Sequence, residues 1–269
     1  MRILHINLNY VGTRLFQKMM QYFRRPDVDN IVFVPISNTT EINIIPDGDE
    51  IIVDCFKKRD RYFYSYKQDK IFSALQKNVD VESVDICHSY TVFSDGNSAY
   101  RMKKKQGTPY IVTVRDTDIN VFFKKMFWLR GRGNRILSNA NAVIFLSPAY
   151  QEYTLSTYVQ PELREAIEAK AHIIPNGVDE YWLKNMFYAR DHEEIERRMR
   201  KHELKLVFVG LLNFRKNIEA TLAAIEILVA RGWLVKFTVV GKIVNEEVRK
   251  KVIESKYTTY VGEKDKDGV

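Results

Sequence analysis

The feature that most constrains the fold is an alternation of short apolar runs of strand length with stretches whose apolar residues recur at helical spacing. Ile3–Asn7, Ile31–Pro35, Ile51–Asp54, Val84–Cys87, Tyr110–Val114, Ala142–Leu146 and His172–Pro175 are near-continuously apolar. That is the pattern of strands buried on both faces of a parallel sheet. Between them, Thr13–Phe23, Tyr66–Lys77, Asp95–Gln106, Arg132–Asn139 and Pro148–Thr157 read as helices. Strand–helix alternation with short links predicts an α/β fold built on a doubly wound sheet. Ligands of such sheets bind at the carboxyl ends of the strands.

Pro175-Asn176-Gly177 breaks the last of these strands and predicts a boundary between residues 1–179 and 180–269. Beyond it, Asp191–Lys201 reads as a charged helix and Leu204–Gly210 as an apolar strand ending in glycine. Lys216–Arg231 reads as an amphipathic helix with Ile218, Leu222, Ile225 and Leu228 on one face. Trp233–Gly241 is a further strand, Glu246–Ser255 a helix and Tyr257–Val261 a short strand. Three strands and two crossover helices make about half of a Rossmann-like sheet, so the second domain is expected to be incomplete, with uncovered apolar surface.

With 45% hydrophobic and 28% charged residues the chain has globular composition, which excludes a disordered class. No apolar run approaches the roughly 18 residues a bilayer span requires. The start, MRILHINLNYV, lacks the apolar core of a signal peptide. Cys55 and Cys87 lie in separate strand-like segments and form no disulfide framework. A cytoplasmic location is expected, or a peripheral one on the inner face of the plasma membrane. The net charge of +8 is concentrated: Arg101 to Arg135 holds ten Lys/Arg against Asp116 and Asp118, which accounts for the whole excess. This fits an anionic partner at one place, or equally a solvated lysine-rich helix face.

Within that segment Phe122–Arg130 interleaves bulky apolar residues with cations. It reads as a helix on an anionic membrane surface, or as a buried helix with snorkelling lysines. The aromatic run from Arg61 to Tyr66 could stack a sugar or base, or cap the core where a helix begins. No nucleic-acid motif accompanies the charge, so no nucleic-acid partner is expected. Gly131-Arg132-Gly133 lacks a third glycine and a preceding strand, and His192-Glu193 lacks a second histidine. Neither a metal nor a cofactor is expected.

The motifs become specific in ordered combination. Ile173-Ile174-Pro175-Asn176-Gly177-Val178-Asp179 resembles the "I-P-N-G-V-D" linker of glycosyltransferase family 4, also called group 1. Leu206-Val207-Phe208-Val209-Gly210, followed by Lys216-Asn217, resembles its strand, glycine and "K-N" helix start, and Val239-Val240-Gly241 its next strand. Asp85-Ile86-Cys87-His88 and Val112-Thr113-Val114-Arg115-Asp116-Thr117-Asp118-Ile119-Asn120 resemble its first-lobe "D-x-x-H" and "T-V-x-x-x-D" segments. Leu211 stands where the family usually has Arg or Lys, and Tyr90 where it often has a second histidine.

The resemblance covers essentially the whole chain and implies the GT-B architecture. It places an N-terminal Rossmann-like acceptor-binding domain before a partial domain for a nucleoside-diphosphate sugar. It implies retaining transfer of a sugar to a saccharide or lipid-linked acceptor in cell-surface polysaccharide synthesis. Gly210, Arg215, Lys216 and Asn217 would bind the donor. Gly12, Thr13, Arg14, Arg115 and Asn120 would bind the acceptor, and His88 and Asp118 would be catalytic. Physically, a helix start offers unpaired N–H groups to a diphosphate, and Arg215 and Lys216 add the charge that a departing nucleotide needs. Gly12 and Arg14 fit equally an ordinary strand–helix turn. The family's later "E-x7-E" segment is absent from this sequence, so a non-catalytic remnant that binds acceptor or partner is the alternative expectation.

Overall fold

The computed structural model describes residues 1–12, 14–178, 180–185 and 192–265. The chain divides into two compact units, Met1–Asp179 and Glu180–Val269.

In the first unit, β1 (Arg2–Ile6), α1 (Leu15–Met20), β2 (Asp29–Ser37), β3 (Glu50–Phe56) and α2 (Tyr64–Asn78) precede β4 (Ile86–Ser89) and α3 (Gly96–Gln106). Then come β5 (Tyr110–Val114), α4 (Arg130–Asn139), β6 (Ala142–Phe145), α5 (Pro148–Tyr158), α6 (Pro161–Glu168) and β7 (Ala171–Ile173). The seven strands form one sheet in the order β3-β2-β1-β4-β5-β6-β7, and every pair is parallel. The chain runs outward from β1 to β3 and then returns to start β4 on the other side of β1. The carboxyl ends of β1 and β4 are therefore the topological switch point, where open α/β sheets bind ligands.

The strand period of two sorts side chains between two cores. Phe33, Leu4, Ile6, Cys87, Val112 and Phe145 enter the larger core beneath α2, α3 and α4. Val32 and Val34, one residue out of phase with Phe33, enter a smaller core with Tyr10, Phe16, Met20, Ile44 and Tyr90. At about 1.5–3 kcal/mol for each large apolar side chain buried, these two cores stabilise the unit.

Two local expectations change, and one connection departs from strand–helix alternation. The first helix is only six residues long, because Tyr22 and Phe23 donate to Met19 and Met20 in tight three-residue turns. The Phe23 ring is drawn onto His5, 5.1 Å between centroids, ahead of the helix-breaking Pro26. Residues 38–49 join parallel strands without a helix, and buried Ile44 covers the small core instead. Residues 122–130 do not form one helix: a π-helical stretch, Asp118–Phe123, is followed by a single 3₁₀ turn, Phe127–Leu129. Phe123 is buried against Phe93 and Tyr158, and α4 packs close because it carries glycine at 133. A Cβ there would lie 2.6 Å from the Phe93 ring and 2.7 Å from that of Phe123.

In the second unit, α7 (Glu180–Lys184), α8 (His192–Arg200), β8 (Glu203–Val209), α9 (Ile218–Ala230), β9 (Leu234–Val240), α10 (Glu246–Glu254) and β10 (Thr258–Tyr260) follow in order. The three strands are parallel in the order β10-β9-β8. Leu212, Ile218, Ile225, Val235, Phe237, Val239, Val248 and Val252 make its core. Among the described residues Val207 and Val209 remain exposed on the other face of β8. Among the described residues no helix is long and apolar enough to cross a membrane.

Candidate functional site

At the switch point the sequence places polar residues where the strands end. His5 and His88 are register partners on β1 and β4, with ring centroids 5.8 Å apart, and the Tyr90 ring lies tilted over His88 at 4.2 Å. Asn30 donates its Nδ2 hydrogen to the Phe23 carbonyl, so its Oδ1 accepts from His5 Nε2 at 3.0 Å. This assigns His5 the Nε2–H tautomer, with Nδ1 accepting from the Tyr90 hydroxyl at 3.0 Å. Burial lowers the pKa of His5 to about 4. His88, whose Nε2 lies 3.2 Å from Thr113 Oγ1, is lowered to about 3 by burial, then by His5 and Arg115. Both rings are neutral near pH 7. His88 is 8% exposed, and its neutral ring can form a hydrogen bond at the strand end.

Tyr90, at the family's second-histidine position, is core: it is buried among Phe16, Met20 and the two histidines. His5 was not singled out by sequence; its signal was a polar residue inside an otherwise apolar strand.

Two buried carboxylates hold the loops beyond β4 and β5. Asp95 accepts from Leu8 N at 3.0 Å and from the Thr91 hydroxyl at 2.8 Å. Asp118 accepts from Val92 N and Phe93 N, both 3.1 Å, and from Arg115 N at 3.0 Å. The resemblance gives Asp118 a catalytic role. It is 0% exposed, both oxygens are occupied by backbone donors, and it braces two loops. Burial outweighs those hydrogen bonds, raising Asp118 to about 6 and Asp95 to about 7.

These shifts have opposite consequences for stability. Between about pH 4 and 7 folded Asp95 keeps a proton that the unfolded chain has released, so its contribution falls as pH rises. The depressed histidines contribute in the other sense, gaining as pH rises from about 3–4 to 6.5. Asp95→Asn removes only the falling contribution. Its unfolding free energy should therefore gain on the wild type from pH 4 to 7, by up to about 4 kcal/mol at about 1.36 kcal/mol per pH unit. Denaturant melts across that range check this; a difference independent of pH contradicts it.

Arg115 is the cation of this site. Its Nε donates to the Tyr90 carbonyl at 3.0 Å, Nη1 to Asn176 Oδ1 at 3.4 Å, and its guanidinium lies 5.0 Å from the Phe16 ring centre. It forms no ion pair among the described residues, and burial lowers its pKa. Nearby, Asn7 Nδ2 is buried at the end of β1 with no hydrogen-bond partner among the described residues. A half-buried guanidinium without a carboxylate and an unmet buried donor together suit an anionic or hydroxyl-rich ligand. Gly12 lies on a 3₁₀ turn, Tyr10–Gly12, with open space where a Cβ would point, and Arg14 is exposed at the start of α1. Thr13 lies outside the described residues, as does Asp179. Asn120 is exposed and donates to Asp116 Oδ1 at 2.7 Å.

In the second unit all three strands end in glycine of positive φ: Gly210 (149°), Gly241 (131°) and Gly262 (77°). Gly210 N donates to Val240 O and Gly241 N to Gly262 O, bringing the three ends into one row of backbone. The sequence singled out Gly210; the pairing with Gly241 emerges only in space. Phe214–Lys216 then forms a 3₁₀ turn, Asn217 is left-handed (φ 47°, ψ 44°), and α9 begins at Ile218 with no side-chain cap. Lys216 therefore does not open the helix, as its spacing suggested; it sits on an exposed turn just before it, beside Arg215. Among the described residues no three His, Cys, Asp or Glu side chains gather as a metal site would require.

No curated protein matches the sequence. Solved structures match its fold over 98% of its length. One is a UDP-GlcNAc 2-epimerase from Neisseria meningitidis bound to UDP-GlcNAc (10% identity, 73% of that chain, TM-score 0.54). Another is the catalytic domain of starch synthase IV from Arabidopsis thaliana bound to ADP and acarbose (10% identity, 74% of that chain, TM-score 0.55). A third is a UDP-forming α,α-trehalose-phosphate synthase from Burkholderia xenovorans (12% identity, 73% of that chain, TM-score 0.56). At such identities they establish the fold, which is GT-B. The family model Glycosyltransferase Family 4 matches residues 13–181. The chain belongs to Glycosyltransferase Family 4.

Proposed function

We propose that this glycosyltransferase moves a sugar from a nucleoside-diphosphate sugar to a hydroxyl of a saccharide or lipid-linked acceptor in cell-surface polysaccharide synthesis, with retention at the anomeric carbon. The observation that carries the reading is the row of glycine backbone at Gly210 and Gly241, followed by the Arg215–Lys216 turn. Glycine permits a diphosphate to approach the main chain, and the two cations oppose the charge that develops on it. ADP in the starch synthase structure and UDP-GlcNAc in the epimerase structure are the ligand class meant. The first unit, with Arg115 and His88 at its switch point, would hold the acceptor.

The chemistry balances without a protein base. The bond from C1 of the sugar to the β-phosphate oxygen breaks, and its electron pair stays with the phosphate. The acceptor oxygen bonds to C1 on the same face, and its proton passes to that phosphate. Burial of Asp95 and Asp118 supports this route over one using a carboxylate nucleophile. Calorimetric titration with nucleoside diphosphates tests the donor seat. One of them should bind, and Arg215→Ala/Lys216→Ala should weaken it roughly tenfold to a hundredfold. Equal affinity in the double variant sinks the assignment.

A further inference from the structure

The two strongest clusters of unexplained surface lie far apart in sequence and meet in the first unit. Residues 57–67 carry five Lys/Arg and one acid, Asp60, which is itself paired with Lys70 at 2.6 Å. Residues 124–135 carry five Lys/Arg and no acid. The segments join where the Tyr64 ring packs edge-on against Phe122, 6.2 Å between centroids. Arg132 closes the same junction, its guanidinium 5.2 Å from the Tyr64 ring centre and its Nη2 3.4 Å from Ser65 Oγ. Tyr64 is anchored by donating to the Phe93 carbonyl at 2.7 Å.

Flanking this junction are large rings that the fold does not use. Tyr62 is 88% exposed, Phe63 68%, Phe127 66% and Trp128 65%. Phe127 and Trp128 stack edge-to-face on a turn fixed at both ends by buried Phe123 and Leu129. They are thus presented on ordered backbone.

We infer that these two segments form one aromatic–basic face that docks the first unit onto an anionic lipid bilayer. Aromatic rings beside Lys and Arg are the composition of a membrane–water interface, where rings enter the headgroup region and cations meet lipid phosphates. Phe63 and Phe127 carry no polar group, so a purely polar anion would leave them in water; a bilayer removes them from it. The inference deepens the transfer reading by giving the acceptor a membrane-borne class, and rests on it only for that point.

Co-sedimentation of the full chain with vesicles tests it without donor or turnover. Binding should require phosphatidylglycerol mixed into phosphatidylcholine and should weaken with salt. It should fall roughly tenfold in Phe127→Ala/Trp128→Ala and again in Tyr62→Ala/Phe63→Ala. All four rings are largely exposed, so circular dichroism should stay unchanged. Binding that these variants leave intact, binding equal on neutral vesicles, or retention of single-stranded oligonucleotides in place of vesicles overturns the inference. An inactive chain that binds vesicles fails only the transfer reading, and a chain active on soluble acceptor that ignores vesicles fails only this one.

Discussion

Gly241→Ala should abolish cooperative folding of the second unit, costing about 4 kcal/mol or more. The added Cβ would lie 2.0 Å from the Gly210 carbonyl oxygen and 2.8 Å from its carbon, at a φ of 131° that side-chain-bearing residues avoid. Overpacking and backbone strain each cost about 1–3 kcal/mol where a neighbour can move. Here the neighbour is main chain, tied to Val240 by its own N–H, so it cannot rotate away. Gly262→Ala is the control: its φ is also positive, but a Cβ there meets nothing within 4 Å, and the expected loss is about 1–2 kcal/mol. Denaturant unfolding of both variants checks the contrast, and equal losses would contradict the close approach of the two strand ends.

Asp118→Ala should be the most damaging side-chain substitution at the first unit's switch point. It strands the buried N–H groups of Val92, Phe93 and Arg115. Each unmet buried donor costs about 1–3 kcal/mol, so a loss of about 3–9 kcal/mol is expected for three. Against a typical total of about 5–15 kcal/mol this leaves the unit near its threshold. Asp118→Asn should fall between, because an amide oxygen still accepts while its NH₂ opposes the third donor. Melts of the three proteins separate a brace from a base: a base would lose turnover with stability unchanged.

Much of this fold is legible in the sequence because the first-unit strands are apolar on both faces. Tyr110–Val114 is read to the residue, since Pro109 and Arg115 bound an unbroken run. What was not legible depends on partners distant in sequence. Nothing near Phe23 announces that its ring packs on His5 and ends α1 early. Phe122, Phe123 and Trp128 carry a helical spacing, yet the two Phe rings answer to Phe93, Tyr64 and Tyr158, and the backbone yields into a π-stretch. Among site residues, Gly210 and Lys216 are visible as a motif, but the left-handed Asn217 that moves Lys216 off the helix is not. Asp118 shows the converse: the resemblance marks it for chemistry, while its burial and its three backbone donors emerge only in the fold. Asp95, absent from the sequence reading of the site, does the same work one loop away.

Product analysis decides whether the chain transfers sugar. The full chain is incubated with nucleoside-diphosphate sugars and saccharide or lipid-linked acceptors, and the product is read by NMR of its anomeric proton. One donor should release its nucleoside diphosphate only when acceptor is present, in step with a glycoside of the donor's own anomeric configuration. Release without acceptor, an epimerised nucleotide sugar, or an inverted glycoside would contradict it.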